Sequence, residues 1–503
     1  MPGLAARESD PNREIAMERR TRTVLIALAA LAPACSGPAD RPAPAATDAA
    51  VERVVTGLRS GVAVEGRAPA TYVLADRMAF HNVPGVSVAV VDSGRIMWAR
   101  GFGVRDASTG EPVTPSTLFQ AASISKPVAA TGMLRLVEEG LLDLDAPVNT
   151  YLESWKVADN AFTATEPVTL RRIVSHNAGL TVHGFPGYAV GEDVPTVPQI
   201  LDGEKPANTA AVRADTFPGA ISRYSGGGIT VEQLVMADVA GEPFPALMKR
   251  LVLDPLGMTR STYEQPLSDE WRGEEAAAYR ADGTMVEGRW HTYPEMAAAG
   301  LWTTPTDLLK WAMGITAARD GAEGAVLSQA TATEMLTEQV GSYGLGPGLG
   351  GEGRGFHFGH GGANEGFRCR VIYFPETGQG AAIMTNGDRG GSIMEELLLS
   401  LAVEYGWPGY GPREIVALAL DSTALQPYVG EYGADQPPVT VSITREGATL
   451  FADSPGNMPR EEIVFDEGHR AISLESATRF SFVAGPDGSI STVEVEGFTL
   501  TRR

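Results

Sequence analysis

The stretch Ser123-Ile124-Ser125-Lys126, opening an apolar run from Val128 through Leu134 and Val137 to Gly140, decides how this chain is read. If the run is helical, Ser123 and Lys126 lie three residues apart on one face, within reach of each other. A serine with its own base is a nucleophile. The spacing alone proves little, since five lysines and 27 serines in 503 residues produce roughly 0.3 such pairs by chance. Position adds weight. Pro127 fits the first helical turn, where a missing N–H costs nothing, and Gly140 is a natural stop.

Working outward, Pro84 to Val91, the turn Asp92-Ser93-Gly94 and Arg95 to Ala99 read as two strands joined by a tight glycine turn. Helical patterning dominates from about residue 123 to 320, for example over Thr230 to Val239 and Thr306 to Ala317. Strand signals return at Cys369 to Phe374 and Gly380 to Asn386. One antiparallel sheet assembled from distant segments, with helices packed around it, is the expected architecture. Composition shifts after Trp407-Pro408-Gly409. From Leu425 short alternating strands, with turns at Glu446-Gly447 and Gly485-Pro486-Asp487-Gly488, describe a small all-β barrel or sandwich.

The chain is 43% hydrophobic, enough for a large core and more than one domain. A net charge of −22 works against binding nucleic acid or an anionic membrane surface. From Met17 a basic segment, the apolar run Val24 to Leu31 and the small residues Ala32-Pro33-Ala34 read as an export signal. Cys35 follows directly, which leaves two processing routes open: lipidation of Cys35, or ordinary signal-peptidase cleavage. The expected location is the bacterial periplasm or envelope, with membrane contact only through that N-terminal lipid. Cys35 and Cys369 are the only cysteines, so no disulfide framework exists, and Cys369 reads as a small buried hydrophobe.

Two further motifs accompany the serine-lysine pair. Phe217-Pro218-Gly219-Ala220-Ile221-Ser222-Arg223-Tyr224-Ser225 presents a tyrosine before a helix, and Gly359-His360-Gly361-Gly362-Ala363 precedes the strand carrying Cys369. In order and spacing these resemble the serine β-lactamase and penicillin-binding-protein superfamily, specifically its class C branch of esterases, D-aminopeptidases and DD-carboxypeptidases. Leu118 to Ala122, Gly140 to Asp145, His176 to Leu180, Pro255 to Met258 and Ala299 to Thr304 extend the likeness over about residues 51 to 405. The tail opening Leu425-Gln426-Pro427-Tyr428-Val429-Gly430-Glu431-Tyr432 is similar to lipocalin-like domains appended to many members. The resemblance implies an α+β, β-lactamase/transpeptidase-like fold followed by a small barrel-like domain. The expected divisions are a signal over 1–34, a Pro/Ala linker over 35–50, the hydrolase domain over 51–408, a linker over 409–424 and the all-β domain over 425–503.

A serine hydroxyl needs a base within hydrogen-bond reach, and Lys126 serves only if burial lowers its pKa. Tyr224, in the same cleft, then passes the proton to the leaving group. The resemblance implies an oxyanion hole from the N–H groups of Ser123 and Ala363, with Gly361 and Gly362 kept bare so that substrate lies against the strand. His360 stands where relatives commonly present lysine. Being mostly uncharged at neutral pH, it tilts the reading toward esters or amides without a fixed anion. Gly226 replaces the asparagine that usually ends the tyrosine motif, leaving that duty to water, Ser225 or another loop. His176 reads as a structural loop residue. His357 and His360 have a metal-like spacing but no third ligand. No metal or organic cofactor is required. The expected activity is an exported serine hydrolase acting on small esters or amides. A β-lactamase or DD-peptidase and a catalytically silent envelope binding protein are the alternatives.

Overall fold

A computed structural model describes residues 44–435, 438–454, 458–466 and 470–503. The export signal over 1–34 and Cys35 lie outside the described residues.

Strands Gly85–Asp92 (β1) and Arg95–Asp106 (β2) form the expected hairpin. Its two-residue turn places Ser93 at φ 50° and Gly94 at φ 70°, the left-handed pair that matches strand twist. Glu111–Pro112 (β3) extends the sheet beside β2. The other half comes from far along the chain: Gly348–Gly350 (β4), His357–Asn364 (β5), Phe367–Phe374 (β6) and Gln379–Thr385 (β7). The order β3-β2-β1-β7-β6-β5-β4 is antiparallel throughout.

Period-two alternation divides the central strands between two cores. Ala89 and Val91 of β1, with Val371 and Tyr373 of β6 and Ala382 and Met384 of β7, face one side. Val86, Val88 and Val90, with Ile372, Phe374, Ala381 and Ile383, face the other. Helices Pro44–Thr56 (α1) and Gly390–Tyr405 (α5) cover the second face through Val54, Ile393 and Leu397. The first face carries the larger helical region. It includes Ser125–Glu138 (α2), Gly226–Ala240 (α3) and Pro305–Arg319 (α4). Trp311 of α4 donates its indole N–H to Thr131 Oγ1 of α2 at 3.0 Å, so the two helices are locked by a polar contact inside an apolar layer.

Two segments expected as linkers are structured. The stretch before Ala50 is helical from Pro44, because α1 has an apolar residue, Val54, to bury against the sheet. Within 409–424, Arg413–Ile415 pairs in parallel with Val62–Val64. Val62 and Ile415 then pack with Val464 and Ile472 of the last domain. That domain is a closed barrel of eight antiparallel strands from Gly430–Asp435 to Phe498–Arg502, sealed by the pair Tyr432 and Arg502. An eight-stranded barrel has an interior that side chains can fill, and Tyr432, Ile443, Leu450, Phe465, Phe480, Val493 and Leu500 occupy the core. An ion-pair clamp ties the barrel to the sheet: Arg77 Nη2 lies 2.6 Å from Glu396 of α5 and 3.2 Å from Glu475 of the barrel. No helix among the described residues is long and apolar enough to cross a membrane.

Candidate active site

The turn carrying Ser123 is shaped before α2 begins. Ala122 sits at φ 49°, a region that side-chain-bearing residues rarely enter, and a single 3₁₀ turn over Ala122–Ile124 leads into the helix. Such a conformation persists when its surroundings over-determine it. Here Cys369 Sγ donates to Ala121 O at 2.9 Å, and Ser125 Oγ donates to Ala122 O at 2.5 Å while accepting from Leu301 N at 3.0 Å. Ser125 is therefore a brace, not a second nucleophile. The side-chain amide of Asn364, at the end of β5, adds bonds to Gln120 Oε1 (2.7 Å) and Ala299 O (3.1 Å).

Lys126 is only 2% exposed. Its Nζ lies 3.0 Å from Ser123 Oγ and donates to Ala298 O at 2.7 Å. Burial drives its pKa down to about 7, and the nearby Glu232 opposes that shift. A neutral amine donating to Ala298 keeps its lone pair for the serine proton. Glu232, on α3, is fully buried, and neither carboxylate oxygen has a hydrogen-bond partner among the described residues. Burial raises its pKa to about 8, with Lys126 pulling the other way.

Tyr224 ends the loop before α3, and Lys126 Nζ lies 4.9 Å from its ring centroid. Its hydroxyl is enclosed and close enough to Ser123 for the serine to favour ionisation, yet falls short of a formed hydrogen bond. Burial dominates and lifts the phenol pKa well above its usual range, so it is a proton donor at neutral pH. Around it stand His176 (4.3 Å between ring centroids), His183 (4.9 Å), His360 (5.9 Å) and Tyr343 (6.2 Å). His176 accepts from Ser225 N at 3.4 Å and is buried behind the tyrosine, which agrees with a structural loop position. His360 has its pKa lowered to about 3, first by burial and then by Lys126, and its Nε2 is enclosed without a partner among the described residues.

A cavity of about 610 Å³ brings together Ser123, Tyr224, His360, Gly361, Gly362 and Ala363. From His360 onward the outer edge of β5 has no strand partner among the described residues, since β4 pairs only as far as Gly359. Two expectations need correction. Ser225 does not face substrate: its hydroxyl caps α3 by accepting from Gly228 N at 2.8 Å and donates to Thr181 O at 2.8 Å. Gly361 and Gly362 are also not equivalent. A Cβ at 362 would meet Ala121 O at 2.2 Å and Cys369 Sγ at 2.4 Å, so that glycine serves packing against the Ser123 turn, whereas one at 361 would fit. Gly226 donates to His183 O at 3.0 Å, and a side chain there would press on His183 O and Phe185. The loop bearing His183 thus packs directly against Gly226.

Sequence reasoning passed over His183, Tyr343, Arg370 and Glu232. The first three come from loops or a strand whose facing cannot be read locally. Glu232 carries a usable signal, an acid set in the apolar first half of α3, ahead of Asp238 near its end. His357 and His360 lie an odd number of residues apart on one strand and so point to opposite faces. Among the described residues no group of three or more His, Cys, Asp or Glu is placed to hold a metal.

A sequence profile of the family Beta-lactamase matches residues 72–402, the stretch that builds both the sheet and this site. The chain belongs to the Beta-lactamase family. Esterase EstB of Burkholderia gladioli is 33% identical over 189 residues, which are 35% of this chain and 45% of that protein. The putative penicillin-binding protein PbpX of Bacillus subtilis is 25% identical over 265 residues, 51% of this chain and 60% of its own length. The matches to these two Beta-lactamase relatives thus span about half of their length. An octameric penicillin-binding protein homologue from Pyrococcus abyssi shares the fold, with a TM-score of 0.55 at 21% identity, over 85% of this chain and 98% of its own. The closed C-terminal barrel fits the lipocalin-like reading of the tail.

Proposed function

We propose that this chain hydrolyses ester or amide bonds through an acyl intermediate on Ser123. The observation that carries the reading is the buried Lys126 amine, 3.0 Å from Ser123 Oγ with its pKa near neutrality. As Ser123 Oγ bonds to the substrate carbonyl carbon, its proton passes to Lys126. The oxygen that becomes negative is received by the N–H groups of Ser123 and Ala363, a contribution of about 3 kcal/mol per donor. When the tetrahedral intermediate collapses, the bond to the leaving group breaks. Tyr224 gives that group its proton and is reprotonated from Lys126. Water then attacks the acyl-serine along the same path, and Ser123 recovers its proton.

Similarity to an esterase of known name supports ester cleavage, and the packed loop at Gly226 supports ester over peptide cleavage, since no amide side chain is available there. Export belongs to the same proposal, with the chain either lipidated at Cys35 or cleaved by ordinary signal peptidase; the mass of the mature N-terminus, recovered from membrane and soluble fractions, tells the two apart. The activity is tested with a fluorophosphonate probe and mass location of the adduct. Labelling at Ser123 that disappears in Ser123→Ala is expected, and a folded protein that takes no label would favour the silent binding protein. A chromogenic ester, a cephalosporin and a D-Ala-D-Ala peptide assayed together rank the substrates. Rapid cephalosporin turnover without esterase activity would reverse the ordering.

A further inference from the structure

No hydrogen bond aims the Tyr224 hydroxyl. It has no polar partner among the described residues, so its direction is set by whatever packs against its ring. Two imidazoles stand nearest. His176 lies 4.3 Å away between centroids, tilted by 39° and buried, whereas His183 lies 4.9 Å away, tilted by 45° and exposed in the wall of the cavity. The buried Lys126 Nζ touches the same ring at 4.9 Å. Of these three groups, His183 alone is exposed.

The loop that carries His183 is held in a strained conformation. Val182, directly before it, sits at φ 64°, where a β-branched side chain crowds its own backbone. Such a residue stays there only when its neighbours leave it no alternative. Here three successive carbonyls are claimed by the three residues that follow the tyrosine. Thr181 O accepts from Ser225 Oγ at 2.8 Å, Val182 O from Gly227 N at 2.9 Å and His183 O from Gly226 N at 3.0 Å. Two bare glycines admit this contact, since a Cβ at 227 would meet Thr181 O at 2.7 Å and one at 226 would meet His183 O at 3.0 Å. Tyr224 and His183 are thereby fastened to one short stretch of backbone. Relaxation of Val182 would swing the next residue, and with it the imidazole, off the phenol.

We infer that His183 is a positioning residue that holds the Tyr224 phenol toward the leaving group. The inference rests on the acyl-serine reading and supplies what orients its proton donor. His183 acts by ring contact, since no hydrogen bond joins it to the Tyr224 hydroxyl, so another flat aromatic ring can take its place. The consequence is selective. A leaving group that departs as a stable anion needs little help from Tyr224, whereas an alkoxide must be protonated as it leaves. Loosening the phenol therefore harms esters of simple alcohols far more than esters of acidic phenols.

The test compares wild type, His183→Ala and His183→Phe on two esters that share an acyl group: ethyl butyrate, followed by pH-stat, and 4-nitrophenyl butyrate, followed by absorbance. His183→Ala is expected to lose about ten- to a hundred-fold in kcat/KM on ethyl butyrate and less than about threefold on the nitrophenyl ester. His183→Phe should recover most of that loss. Equal losses on both esters, or none, would overturn the positioning role. So would a larger loss on the nitrophenyl ester, the mark of a direct substrate contact, or a Phe variant no better than Ala. Fluorophosphonate labelling separates the two ideas, because fluoride leaves without needing a proton. Labelling of both wild type and His183→Ala without the leaving-group dependence sinks the positioning role alone, whereas no labelling of either sinks the acyl-serine reading beneath it.

Discussion

His360 turns its Nδ1 onto the carbonyl oxygen of its own neighbour, Gly361, at 2.5 Å. A carbonyl only accepts, so Nδ1 carries the proton and the enclosed Nε2 is a bare acceptor. Nitrogen-15 NMR of histidine-labelled protein should show one neutral Nδ1–H tautomer at pH 6, and that signal should vanish in His360→Gln. A second protonated nitrogen on that ring at pH 6 would contradict the assignment.

Three buried histidines share this preference for the neutral form. His81 is lowered to about 4 and His360 to about 3, both chiefly by burial, and His176 falls well below its usual value for the same reason. Below pH 6.5 the unfolded chain takes up protons that the folded protein refuses, so stability rises with pH in this window. Urea midpoints should fall steadily from pH 6.5 to 4, with a shallower fall in His81→Gln.

The rate of acylation should climb with pH through about 7, as Lys126 loses its proton. Lys126→Ala should reduce kcat/KM by about 10²- to 10⁴-fold. Glu232→Gln removes a carboxylate that raises the lysine pKa, so its acid limb should move to lower pH while the folded signal is kept. An unmoved limb would show that the two groups do not share a field. Stopped-flow with a chromogenic ester across pH 5 to 9 measures both.

Gly361→Ala and Gly362→Ala separate packing from access. The new Cβ at 362 collides with Ala121 O, a backbone atom on the Ser123 turn, and with Cys369 Sγ. Overpacking of this kind costs about 1–3 kcal/mol, read by urea denaturation, and slows probe labelling as the turn shifts. At 361 the nearest heavy atom is 3.5 Å away, so stability should be unchanged.

The Arg77–Glu396 pair, with side chains 10% and 8% exposed, predicts a strong dependence of the whole assembly on one contact. Glu396→Ala leaves a buried guanidinium with the longer Glu475 ion pair and the Tyr72 and Phe80 rings, and should cost about 3–5 kcal/mol. Arg77→Met with Glu396→Leu should recover most of that loss. Thermal melts of the single and double variants decide it.

Local sequence determined what depends on neighbours along the chain. Ser123 and Lys126 meet because a helix puts residues three apart on one face. The Ser93-Gly94 turn and the alternation in Val86 to Val91 set the hairpin and its two-faced burial. The order of three motifs identified the family and, with it, Tyr224 and the edge of β5 as parts of one site.

Tertiary structure alone decided what joins distant segments. Alternation puts Cys369 and Arg370 on opposite faces of β6, but only the register with β5 sends the thiol to the Ser123 turn and leaves Arg370 on the face of Ile372 and Phe374. Ser225 looked free to bind substrate until its hydroxyl was spent on the α3 cap, and residues 413–415 looked like a linker until they paired with 62–64, some 350 residues earlier. The physical reason is common to all of these. A hydrogen-bonding or charged group commits to whichever partner folding brings within 3 Å, and that partner is not written beside it in the chain.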